Sequence, residues 1–291
     1  MRSLLPLLLA AGPAFAEVPA VATDIAPVHS LAAQVMGDLG SPVQILPAGA
    51  SPHDHALRPS EAAALERADV VFWVGPELTP GLARALPALA AGATSVELLD
   101  AQGLSLRDFS GGSGDGHQHE GTDPHAWLAP TNAALWLTAI ADTLAQLDPV
   151  NEETYRANAA QGAARIAEAT EAARARLTPV QRLKFLTFHD AYGYFSEAFD
   201  LSDAGAISFG DGAAPGPAHL AELQDEVRAG DITCVFTEVQ FAPALAEILL
   251  EGTEARSATL DPLGTDLEQG PGLYPALIEE MAETVAGCLA G

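Results

Sequence analysis

The feature that most restricts how this chain can fold is a repeated alternation of short apolar runs with longer amphipathic stretches. Ala20 to Thr23, Val43 to Leu46, Asp69 to Val74 and Thr94 to Leu98 read as strands. Helices are expected at Pro27 to Leu39, from a Ser60 cap onward, at about Glu77 to Ala90, and at Thr131 to Leu147. In the first of these, Val28, Leu31, Ala32, Val35 and Leu39 fall on one face, and Pro27 suits a first turn. The alternation resumes with strands at Lys184 to Phe188, Ala204 to Phe209, Thr233 to Thr237 and Ser257 to Leu260. The matching helices are expected at Ala191 to Phe199, Pro217 to Ala229, Ala242 to Leu250 and Leu273 to Leu289. Strands that alternate with helices pair in parallel, because the return crossover is itself the helix. After Asp69, the run to Val74 is continuously apolar, as a strand covered on both faces must be.

Between the two halves, Asn151 to Leu177 holds 27 residues with no proline, one glycine and much alanine. It reads as one helix of about 40 Å at ~1.5 Å per residue, long enough to cross two domains. The expected fold is therefore α/β: two parallel-sheet lobes joined by one long backbone helix, with a cleft between them. The expected divisions are a leader over 1–16, a first lobe over 17–148, a linking helix over 149–180 and a second lobe over 181–291. Residues 110–122, rich in glycine and serine, are expected to form a mobile loop.

With 291 residues, 48% of them hydrophobic, the chain can supply a core to each of two lobes. Arg2, the apolar run Leu4 to Ala11 and Ala14-Phe15-Ala16 before Glu17 have the pattern of a secretory signal with its cleavage site. The alternative, a membrane anchor, needs a longer apolar run than this one. The net charge of -26, from 39 acidic and 13 basic residues, argues against nucleic acid and anionic lipid as partners. Cys234 and Cys288 are too few for a zinc-thiolate site and too far apart for a redox C-x-x-C. In an oxidising compartment they can pair and tie the C-terminal helix to the sheet; otherwise they are two buried thiols.

Chemistry is concentrated in the histidines that follow strands. His53 lies in the loop after the second strand, His125 just before a helix, and His189 directly after the apolar Lys184 to Phe188. Asp261 directly follows Ser257 to Leu260. If both sheets are parallel, these loops lie at strand carboxyl ends, where open α/β sheets bind ligands. Three imidazole nitrogens and one carboxylate suit Zn²⁺ in tetrahedral geometry.

Six segments resemble the substrate-binding proteins of zinc ABC importers, the ZnuA-like family. They are Pro52 to Ser60, Asp69 to Glu77, Pro124 to Leu128, Phe188 to Phe195, Cys234 to Phe241 and Thr259 to Gly264, in order along the mature chain. The resemblance implies a periplasmic protein of two α/β lobes and a rigid linking helix, with one high-affinity Zn²⁺ site between the lobes. It places the histidine ligands on His53, His125 and His189, the fourth carboxylate that some members use on Asp261, and the family's disulfide on Cys234 and Cys288. Two departures matter. Pro52 stands where some relatives carry a carboxylate, and the long histidine-rich loop of many members is reduced to His117 and His119, an accessory capture arm or an inert loop. A nitrogen ligand at His189, where manganese-preferring relatives carry glutamate, favours zinc.

Each of these residues also has a plainer reading. Asp261 can brace the turn at Pro262, and Asp190 can orient an imidazole or cap a helix. Glu238 is a reserve ligand or a strand-end structural group. His55 can substitute for His53, Arg58 braces the loop, and His29 and His219 are structural or exposed. The expected function is capture of Zn²⁺ and delivery to an ABC importer permease by a monomer that performs no chemistry on a substrate. Two alternatives remain: a periplasmic zinc buffer or chaperone, and a zinc-dependent hydrolase with Glu238 or Asp190 as general base.

Overall fold

A computed structural model of the chain describes residues 17–109, 121–208, 215–241 and 244–291. The expected leader, and the segment carrying His117 and His119, lie outside these residues. The first half runs β1 (Val21–Thr23), α1 (Ala26–Met36), β2 (Val43–Gln44), α2 (Pro59–Leu65), β3 (Val70–Trp73), α3 (Pro80–Leu89), β4 (Thr94–Glu97) and α4 (Pro130–Leu147). After α5 (Glu152–Leu177) come β5 (Lys184–His189), α6 (Gly193–Ala198), β6 (Asp203–Ser208) and α7 (Pro217–Ala229). The chain ends with β7 (Ile232–Glu238), α8 (Ala244–Leu250), β8 (Arg256–Leu260) and α9 (Leu273–Ala290).

The strands form two parallel sheets, in the orders β2-β1-β3-β4 and β6-β5-β7-β8. The two orders are the same when each sheet is counted from its own first strand. In both, the connections run outward one way from the first strand and then return past it to the third. The crevice at a strand carboxyl end therefore opens between β1 and β3 in one sheet and between β5 and β7 in the other.

Helices α1, α4 and α5 start within one residue of the sequence pattern, and three others depart from it, each for a local reason. Helix α2 begins at Pro59, whose fixed φ suits a first helical residue, and the Arg58 N–H before it donates to Glu61 Oε2 at 2.7 Å. Ser60 thus lies inside the helix rather than capping it. Helix α3 starts at Pro80 because the N–H groups of Leu78 and Thr79 first close a turn on the carbonyl of Gly75. Helix α6 starts at Gly193, after Ala191 N–H has turned back onto the carbonyl of His189.

Helix α5 links the lobes and packs against α4, α9 and α1. Its buried residues, Tyr155, Ala159, Gly162, Ile166, Ala169, Ala173 and Leu177, recur at three and four residues and make one stripe. At Gly162 a Cβ would lie 2.9 Å from the Leu137 side chain, so the absence of a side chain there lets α5 approach α4. One large core runs through the first sheet, α1, α4, α5 and α9 and reaches the second sheet. A smaller core, including Leu186, Ile207, Leu223, Val235 and Leu249, fills the far side of the second sheet under α7 and α8. A disulfide joins Cys234 on β7 to Cys288 on α9. No helix among the described residues is long and apolar enough to cross a membrane.

Candidate metal centre

Two loops of the first lobe and the end of β5 in the second bring His53, His125 and His189 together, all buried, each offering one nitrogen within 4.8 Å of the others. Their ring centroids lie 5.5, 6.3 and 5.1 Å apart for the pairs 53–125, 53–189 and 125–189. The Nε2 atoms of His125 and His189 are 3.3 Å apart. A tetrahedral zinc with bonds of about 2.0–2.1 Å to nitrogen sets its ligand atoms about 3.3–3.4 Å apart, so this pair already has the spacing of two zinc ligands.

Carboxylates fix the orientation of two of the rings. Asp123 Oδ1 accepts both the backbone N–H of His125 (2.9 Å) and its Nδ1 (2.8 Å). Glu238, the last residue of β7, accepts His189 Nδ1 at 2.7 Å and His189 N–H at 3.3 Å through Oε1. With Nδ1 committed to a carboxylate, each ring keeps Nε2 for the centre, and the carboxylate raises the basicity of that nitrogen. Glu238 therefore orients a candidate ligand, through a pairing of residues 49 apart in sequence that only the β5–β7 register creates. Asp123, two residues before His125, had drawn no attention in the sequence; its signal was the D-x-H spacing itself.

The surroundings support these groups. Tyr194 Oη accepts the Arg107 N–H at 3.1 Å and donates to the carbonyl of Asp123 at 2.9 Å, while Arg107 Nη1 lies 3.7 Å from Asp123 Oδ2. The Arg107 guanidinium occupies the space that a Cβ on residue 193 would need, so a side chain there would displace it from Asp123. Buried donors also tie the lobes at the floor of the cleft: Trp127 Nε1 donates to the carbonyl of Pro262 at 2.8 Å, and Tyr274 Oη to that of Trp127 at 2.6 Å. Burial and the charges of Glu238 and Asp261 push the Tyr192 phenol well above its ordinary range, keeping it neutral.

Other residues singled out in the sequence lie elsewhere. Asp261 is not a member of the histidine cluster; its oxygens accept the N–H of Leu263 at 3.0 Å and the N–H of Thr265, bracing the turn. His55 Nε2 pairs with Glu61 at 2.8 Å. His29 and His219 bond the carbonyls of Pro42 and Ala206. Asp190 is buried next to His189.

The matching crevice of the first sheet, between β1 and β3, holds a fully buried carboxylate. Asp24 Oδ1 accepts the N–H of Ile25 at 2.7 Å and Oδ2 that of Val74 at 2.8 Å, stitching the two strand ends together. Burial pushes its carboxyl up to about 7, against the pull of those two N–H groups.

Comparison with known proteins agrees with this geometry. The family model of the zinc-uptake complex component A, periplasmic, matches residues 21–288. The high-affinity zinc uptake system protein ZnuA of Paracoccus denitrificans is 44% identical, the alignment covering 96% of this chain and 94% of that protein. A zinc-bound crystal structure of a ZnuA deletion mutant superposes with a TM-score of 0.81 at 26% identity, over 94% of this chain and 98% of that one. The manganese complex of the binding protein FpvC from Pseudomonas aeruginosa, at 23% identity, shares the fold with a TM-score of 0.82 over 94% and 99% of the two chains.

Proposed function

The chain belongs to the family of the periplasmic zinc-uptake complex component A, and from that premise we propose that it captures Zn²⁺ between its lobes and hands it to an ABC importer permease. It is a zinc-binding substrate-binding protein of a zinc uptake system, and the family is one of transport proteins rather than enzymes. His53, His125 and His189 hold the ion. The observation that carries this reading is the 3.3 Å between two Nε2 atoms whose rings are each anchored by a buried carboxylate.

Asp261 can serve as the fourth ligand only by giving up its bonds to the Leu263 and Thr265 N–H groups, which would leave that turn without its brace. The protein works as a monomer, exported by the leader over 1–16, with lobes over 17–148 and 181–291 joined across 149–180. The buried ties Trp127–Pro262 and Tyr274–Trp127, together with α5, favour small shear or loop ordering over wide closure on capture.

A competitive chelator titration of the metal-free protein tests the ligand set. His53→Ala, His125→Ala and His189→Ala are each expected to lose the single tight zinc equivalent, and Asp261→Ala to keep it. Protons compete for imidazole nitrogen, so the parent's affinity falls as pH drops below about 6.5. Delivery is tested by adding zinc-loaded protein to the cognate permease in proteoliposomes. Stimulated ATP hydrolysis with zinc uptake supports the importer role, whereas metal passing only to soluble apo-proteins assigns a chaperone.

A further inference from the structure

Resting on the three-histidine reading, the structure points to one more residue of the metal site. Strand β7 ends at Glu238, and the N–H of Phe241 turns back onto the Glu238 carbonyl at 3.3 Å. This turn brings Gln240 to the wall of the small cavity that contains His53, His125 and His189. Both polar ends of its carboxamide, Oε1 and Nε2, are enclosed, and neither has a hydrogen-bond partner among the described residues. Buried amide groups are ordinarily satisfied, so a carboxamide with two idle ends beside a ligand cavity calls for an occupant that can both donate and accept.

Three imidazoles on a tetrahedral ion leave one position open. Phe241, Pro262, Leu263 and Pro52 offer no side-chain hydrogen-bonding group, and the oxygens of Asp261 are bonded to backbone. Glu238, whose second oxygen is also enclosed, is committed to the His189 ring through its first, so Gln240 is the neutral group of this wall that can both donate and accept with neither end in use. Water fits the remaining position. A water bound to zinc is a strong donor, because the ion draws electron density from its O–H bonds. We propose that the Gln240 carboxamide holds a water molecule in the fourth position, its Oε1 accepting the proton that the ion has polarised. Gln240 then senses the occupied site directly, and the cavity recognises the ion together with one water.

The test uses Zn²⁺ for affinity and Co²⁺, whose visible absorption reports the ligand field, for the coordination shell. Gln240→Leu, which keeps approximate volume but removes both hydrogen-bonding ends, should weaken zinc binding about tenfold and alter the cobalt band. Gln240→Glu, isosteric and still an acceptor, should bind at least as tightly as the parent with a shifted band. Parent-like affinity and spectrum in Gln240→Leu would overturn the proposal. So would weakened affinity with an unchanged cobalt band, which assigns the side chain to packing. If Gln240→Leu does not fold, Gln240→Glu decides: a parent-identical band overturns the assignment and a shifted one supports it. A failure of the underlying reading looks different, since then the parent takes up no tight equivalent or the histidine variants bind as well as the parent.

Discussion

The two sheets have the same strand order and each holds a buried carboxylate at the corresponding crevice, Asp24 from its first strand and Glu238 from its third, but they use it in opposite ways. Between β1 and β3, Asp24 spends both oxygens on backbone N–H groups and closes the crevice. Between β5 and β7, Glu238 turns one oxygen to the His189 ring and the crevice becomes part of the candidate metal centre. The fold supplies the opening, and one side chain at a strand end decides whether it is sealed or used. The lobes also differ in how that point is supported. The buried residues of the first sheet all belong to the large core, while those of the second are divided between the large core and the smaller one, and β7 is further held to α9 by the disulfide.

The largest effect that would sharpen this contrast comes from the disulfide. Cys234→Ser with Cys288→Ser should cost about 2–5 kcal/mol of folding stability, read by urea unfolding of the metal-free protein. Although Cys234 is on the strand that carries Glu238, the His189 ring is held by Glu238 itself, so zinc affinity should fall only slightly in the protein that remains folded. A collapse of affinity would mean that the bridge, not the Glu238 contact, sets the geometry of His189. Next in size, Glu238→Ala should weaken zinc binding about 10–100-fold, since it releases the His189 ring. In calorimetric titration, a value equal to the parent's would break the comparison from the functional side.

The smallest expected effect concerns Asp24, and its sign follows from its raised carboxyl. The folded-state value of about 7 lies above the ordinary 3.8, so the folded protein holds a proton that the unfolded chain releases. The stabilisation from that proton is fully present below about 4 and is lost as pH rises through about 7. The stability advantage of the parent over Asp24→Asn should therefore shrink between these two pH values, as followed by urea unfolding at several pH values. Zinc affinity of Asp24→Asn should stay within about twofold of the parent, because nothing in its contacts reaches the histidines. A constant stability gap, or an affinity change like that of Glu238→Ala, would make the two carboxylates alike after all.

Much of this was legible in the chain. The alternation gave the strands and helices to within a few residues, because a parallel sheet covered by helices imposes two different apolar periods on its sequence. The long helix stood out through its lack of proline, and the three histidines stood out because each falls next to a strand or helix end. What remained hidden depended on pairing. The role of Glu238 requires knowing that β7 lies beside β5, and that of Asp24 requires β3 beside β1; neither adjacency is written in any local pattern. Asp261 shows the limit from the other side: its position after β8 matches that of a ligand, and only the structure shows that the Leu263 and Thr265 N–H groups compete for its oxygens. The start of α2 at Pro59 was missed because a serine cap and a proline first residue compete one position apart.

The most direct test of the account is zinc-edge X-ray absorption on the protein loaded with one equivalent of Zn²⁺. Three imidazole nitrogens and one oxygen at about 2.0–2.1 Å are predicted, with the outer-ring scattering of three histidines. In His189→Ala the three-imidazole pattern should be lost. A first shell dominated by oxygen, or one unchanged in that variant, would contradict it.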